Sequence, residues 1–101
     1  MKGMSLSSFK DLNRQRGFHW FDKLTLRYFN SKISNWDYDT GYFVSSEIAP
    51  DQGRAYTLRR GDFETGRVKR ISEFREYKNI YQARTALVKR LEREKNENIK
   101  S

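Results

Sequence analysis

Seven basic side chains crowd into 22 residues of this chain: Arg54, Arg59, Arg60, Arg67, Lys69, Arg70 and Arg75, opposed only by Asp62, Glu64 and Glu73. Six of the seven are arginines, whose planar fork of donors suits phosphates and carboxylates alike. The chemistry this suggests is capture of a polyanion. Arg54, Arg59, Arg60, Arg67, Lys69 and Arg70 are the residues expected to contact it. Like charges facing each other across paired strands are destabilising by tenths of a kcal/mol to about 1 kcal/mol per pair. Such repulsion is expected on a face that binds a polyanion, and it is also common on a solvated strand edge rich in charge.

Residue sets for catalysis or metal binding are harder to assemble. His19 is the only histidine, set between Phe18 and Trp20, and without convergent partners it reads as a packed or half-exposed ring. Asn35, Asp37, Asp39 and Gly41 follow the opening of a calcium loop, but glycine falls seventh instead of sixth and Ser46 stands twelfth where a bidentate glutamate belongs. The segment reads as a polar turn between strands. Asp62, Glu64, Glu73 and Glu76 offer carboxylates with no spacing that builds a nuclease metal set. Gly41-Tyr42-Phe43-Val44 matches only a fragment of the ring-bearing strand of RNA-recognition modules. No catalytic residue, metal ligand or cofactor is therefore expected, and a small nuclease is the weakest of the functional classes considered.

The elements that must position the arginines belong to one domain of 101 residues, with 36% apolar and 34% charged residues. Fifteen aromatic rings, seven Phe, six Tyr and two Trp, supply much of the core from few positions. The net charge of +8 is uneven, +2 over residues 1–50 and +6 over residues 51–101, which points to one positive face. Absence of cysteine excludes disulfides and thiolate sites. Lys2 is followed by no apolar run of a signal peptide, and no stretch approaches a membrane span of about 20 apolar residues. The expected location is the cytoplasm of whatever cell makes it.

Ser5 to Arg16 reads as a helix, with Leu6, Phe9 and Leu12 at helical spacing and Gly17 at the left-handed position beyond its end. Asp22-Lys23-Leu24 reads as a turn, and Thr25 to Ile33 as a strand. Tyr42 to Glu47 and Ala55 to Arg60 follow as strands, separated by a loop at Ala49–Gly53 that holds Pro50. Glu64-Thr65-Gly66 is a hairpin turn leading into a strand from Arg67 to Ile71. Asn79 to about Glu94 is a helix with a capping box at Asn79 and Gln82. Its face of Ile80, Ala83, Leu87 and Leu91 is apolar, and residues 96–101 are expected to fray. The sum is a single α+β domain over residues 1–101, with an N-terminal helix, a four-stranded antiparallel meander and a C-terminal helix packed on the sheet. Both helices are expected on one sheet face, leaving the other partly open for the basic residues.

Several segments carry a family likeness. Thr25 to Ile33 resembles T-x-R-F-F-x-S-K/R-I, Tyr42 to Glu47 resembles Y-F-V/I-T/S-S-E, Arg54 to Arg59 resembles R-x-Y-T/S-V/L-R, and Phe74 to Tyr77 resembles F-x-x-Y before a last helix. Together, over residues 18–91, they are similar to a family of small uncharacterised proteins of bacteriophages and mobile elements. The resemblance brings no catalytic residues. It implies a phage or mobile-element accessory protein, not an enzyme. Such a protein would block a host defence nuclease, in the manner of an anti-CRISPR, by binding a nucleic acid or a host nucleic-acid–protein effector complex through the basic face. The alternative is a plain DNA- or RNA-binding protein for phage replication or gene control. Neither reading involves a membrane or fixes an oligomeric state.

Overall fold

Phe43 and Val44, neighbours in one strand, are both fully buried, and in a strand they point to opposite faces. The sheet that carries them therefore needs cover on both sides, and the chain provides it with different elements. In a computed structural model that describes residues 3–49 and 53–100, α1 spans Leu6–Gln15, α2 Lys23–Arg27, β1 Lys32–Ser34, β2 Tyr42–Ala49, β3 Gly53–Gly61, β4 Val68–Arg70 and α3 Ile80–Lys100. The strands form one antiparallel meander in the order β1-β2-β3-β4. This is the α+β fold the patterning predicts. Pro50, in the loop expected between β2 and β3, lies outside the described residues, as do Lys2 and Ser101.

Register fixes the two faces. Tyr42 pairs with Arg60 and Val44 with Leu58, on the side covered by Ala83 and Leu87 of α3. Phe43 pairs with Arg59, Ser45 with Thr57 and Glu47 with Ala55, on the opposite side. There Phe43 meets Phe9 of α1, Phe21 and Trp36 in an aromatic cluster. Phe9 rests directly on Gly61, where an added Cβ would stand 2.7 Å from the ring. The two helices thus cover opposite faces, not one. The cause is that β2 is apolar at both parities, Tyr42 and Val44 on one and Phe43 on the other.

Local signals explain the helix ends. Ser5 accepts a hydrogen bond from the Ser8 N–H at the start of α1. At its end Gly17 takes φ +84°, Gly17 N–H bonds to the Arg14 carbonyl and Phe18 N–H to that of Asn13, the paired bonds of a Schellman motif. Asn79 caps α3 through the Gln82 N–H, while the Gln82 side chain reaches past Asn79 to the Lys78 N–H. The backbone of α3 continues to Lys100, beyond the end near Glu94 that the sequence suggests.

The segment Thr25 to Ile33 departs from the strand expected of it. Its first three residues belong to the short helix α2, which also takes in Lys23 and Leu24 of the expected turn, and only Lys32–Ser34 pairs with β2. In a strand Leu26 would share a face with Tyr28, and Phe29 with Arg27. The helical turn instead brings Leu26 and Phe29, three residues apart, inward and leaves Leu24 and Tyr28 outside. Asn30 then turns the chain at φ +48°, and Phe29 carbonyl accepts from the Ile48 N–H of β2.

Leu87, buried between α3 and the sheet, gives a direct check of this packing. Leu87→Ala is expected to lower the unfolding free energy by about 2–5 kcal/mol in urea denaturation. A change near zero would show that this face of α3 is not core.

Candidate nucleic-acid interface

The six basic residues singled out from sequence divide between the two sheet faces. Arg60 and Lys69 face α3, and both are matched by carboxylates. The Arg60 guanidinium lies 3.1 Å from Glu94, donates to the Thr40 carbonyl and stacks 4.7 Å from the Tyr42 ring centroid. Lys69 pairs with Asp62 at 3.2 Å. Asp62 is itself the hub of the β3–β4 turn. Its carboxyl is held below the ordinary value chiefly by the Thr65 N–H, with the Glu64 N–H and Lys69 adding and burial opposing. Arg54 donates to Ser46 Oγ at 2.6 Å and to the Asn30 carbonyl, fastening the turn after α2 to the sheet. These three cations are parts of the fold's own bonding.

Arg59, Arg67 and Arg70 gather on the other face, around Trp20. The Arg59 guanidinium stacks 5.1 Å from the Trp20 ring, and its Nε–H donates to Ser45 Oγ at 2.7 Å. Burial lowers its pKa from the ordinary value, with Glu47 opposing and Arg70 reinforcing the shift. Arg70 stands directly across from Arg59 on β4, exposed and without a carboxylate partner among the described residues. Arg67 is exposed, its guanidinium 4.8 Å from the Phe18 ring. Trp20 is held by Asn13, whose Oδ1 accepts from the Trp20 N–H while its Nδ2 donates to the Gly66 carbonyl. One buried asparagine thus ties α1, the Trp20 segment and the β3–β4 turn together. The result is a strip of arginines interleaved with rings, the combination that holds phosphates and stacked bases.

Beside this strip lies a cavity of about 480 Å³. Its sheet side is formed by Glu47 and Arg59, and its walls by Trp20, α2, Phe29 and Phe74. Glu47 is only 2% exposed. Its Oε1 accepts from Thr57 Oγ1 at 2.7 Å, and Thr57 Oγ1 accepts in turn from the Arg75 N–H at 2.8 Å. Its Oε2 has no hydrogen-bond partner. Phe29 and Phe74 pack at 5.4 Å. At the mouth Leu24 and Tyr28 are 79% and 81% exposed, an unusual outlay of apolar surface.

The other candidates are placed as follows. His19 is exposed at φ +53°, and its Nδ1 lies 2.9 Å from Asp22 Oδ2 at the entry to α2. Asp37 accepts from the N–H and hydroxyl of Thr40, which closes the polar turn read from Asn35 to Gly41. Among the described residues no three His, Asp or Glu side chains converge as metal ligands would, and no helix is long and apolar enough to cross a membrane.

Trp20, Phe18 and Glu47 were not among the residues expected to form the site. Phe18-His19-Trp20-Phe21 announces rings that water cannot fully solvate, but not which ring stacks with which arginine. Glu47 had a readable signal: alternation from Phe43 puts a carboxylate on the same buried side as a core ring.

No curated protein and no solved structure matches the chain. A family model does match, over residues 5–88, from the cap of α1 into the middle of α3 and so across the whole Trp20 face and its cavity. The chain belongs to that family, DUF7447, a family of unknown function.

Proposed function

We propose that this protein is a non-catalytic binding module that holds a nucleic acid, bare or within a host nucleic-acid–protein effector complex, against the Trp20 face. The observation that carries the reading is the division of the arginine cluster. Arg60 and Lys69 are matched by Glu94 and Asp62, whereas Arg67 and Arg70 stand exposed beside Phe18, Trp20 and the half-buried Arg59. Guanidinium groups stacked on rings are pre-organised, so less side-chain freedom is lost when they bind. The net charge of +8 adds long-range attraction for polyanions.

The contact set narrows accordingly to Arg59, Arg67 and Arg70, with Phe18 and Trp20. The biological form we favour is that of a phage or mobile-element accessory protein. It would occlude the nucleic-acid surface of a host defence nuclease, as an anti-CRISPR does, from within the host cytoplasm. A plain DNA- or RNA-binding role for replication or gene control uses the same face.

A pull-down from host lysate, with and without nuclease treatment, separates these forms. Capture of a defined effector protein that survives nuclease treatment is the expected result for the occluding form. Recovery of nucleic acid alone, lost on nuclease treatment, assigns the plain binding role. Recovery of neither, together with no binding of short oligonucleotides at low salt, would overturn the proposal.

A further inference from the structure

The cavity is lined by Glu47, whose Oε2 is the one carboxylate oxygen among the described residues that is buried and without a partner. Glu47 is more than nine-tenths buried, and the hydroxyl chain from Arg75 N–H through Thr57 fixes its orientation. A buried acceptor left unpaired is costly, so a ligand that brings N–H donors to it gains what the free protein lacks. Arg59, in the same lining, supplies donors for an acceptor on that ligand. Rings and aliphatic side chains form the walls, which suits a flat apolar body.

A cationic ligand fits poorly. Arg59 already lines the cavity together with the carboxylate, and the whole chain carries +8. What remains is a neutral planar ring with donors beside an acceptor on one edge. Among nucleobases guanine presents this most fully, with N1–H and N2–H side by side for a carboxylate and O6 next to them for a guanidinium. The volume of about 480 Å³ is ample for one unstacked base, and the neighbouring strip of arginines is at hand for its sugar and phosphate. Enzymes and single-strand binders that read an extruded base do so by the same two means, hydrogen bonds to its edge and stacking on its faces.

We infer that the Glu47–Arg59 cavity is a subsite for one unstacked guanine base. This rests on the reading of the Trp20 face as a nucleic-acid surface and deepens it.

Trp20 lines the cavity and reports occupancy by its fluorescence. The wild-type protein is titrated with GMP, IMP, AMP, CMP and UMP. GMP is expected to quench and to bind at least tenfold more tightly than the other four, about 1.4 kcal/mol or more. IMP, which differs from GMP only in lacking the N2 amine, is the sharpest comparison. Glu47→Gln keeps the acceptor for Thr57 but turns an amide N–H₂ towards the base, and is expected to abolish the preference for GMP over IMP. The wild-type comparison stands even if that variant does not fold.

Equal affinities for the five nucleotides, or a preference for GMP that survives in folded Glu47→Gln, would overturn the guanine subsite. The broader reading has its own test. Oligonucleotide binding that persists in Glu47→Gln leaves the Trp20 face intact as an interface, whereas no oligonucleotide binding by wild type at low salt removes both.

Discussion

Arg67→Glu combined with Arg70→Glu is expected to weaken binding of a single-stranded oligonucleotide at least a hundredfold at low salt, about 2.8 kcal/mol, with the fold retained. Both side chains are exposed, and no carboxylate among the described residues relies on either. The double change turns two attractive charges into two repulsive ones within a narrow strip. Fluorescence anisotropy reads the affinity, and circular dichroism melting checks the fold. The reversal that sequence alone suggests, at Arg59 and Arg60, is a poorer test. Arg60→Glu would face Glu94 and lose the stack on Tyr42, and Arg59→Glu would put a second carboxylate beside buried Glu47. Either would damage the fold as well as the surface. An unchanged affinity in the Arg67 and Arg70 variant would move the binding surface elsewhere, with the cations of α3 the next to test.

Phe43→Ala is expected to cost about 3–5 kcal/mol of folding stability. Its ring has no exposure and packs on Trp20, Phe21 and Trp36 at centroid distances of 5.6–6.1 Å. Small domains hold only about 5–15 kcal/mol in total, so the variant should unfold at a much lower urea concentration. The aromatic cluster also carries Trp20, so the site and the core share one foundation. Oligonucleotide affinity should fall along with stability, unlike the surface reversal, which should spare stability. A loss below about 1 kcal/mol would mean that the cluster is far looser than its packing implies.

These contrasts mark how much the sequence discloses. Helix α3 is legible because Asn79, Gln82 and the spacing of Ala83, Leu87 and Leu91 all agree. The β3–β4 turn is legible because Gly66, at φ +78°, occupies a conformation few other residues tolerate. The stretch from Thr25 to Phe29 misleads, since its β-branched and aromatic residues favour a strand while the burial of Leu26 and Phe29 selects a helical turn. For the site, the sequence supplies the cluster of arginines but not its partition. Alternation along β3 separates Arg59 from Arg60. That Arg60 should meet Glu94, distant in sequence, follows only from the packing of α3 on the sheet. Likewise Trp20 joins Arg59 only because Gly17 and Asn13 turn the chain back over the strand.

The salt dependence of oligonucleotide binding tests the central claim most directly. Neutralising a phosphate on a single strand contributes a slope of about −0.7 in log K against log salt. Phosphate contacts from Arg67 and Arg70, with Arg59 turned to the base, should therefore give a slope of about −1.4 for the wild-type protein. The Arg67 and Arg70 reversal should remove most of that slope. Binding that ignores salt, or a variant whose slope equals that of the wild type, would contradict the assignment of this face as a nucleic-acid surface.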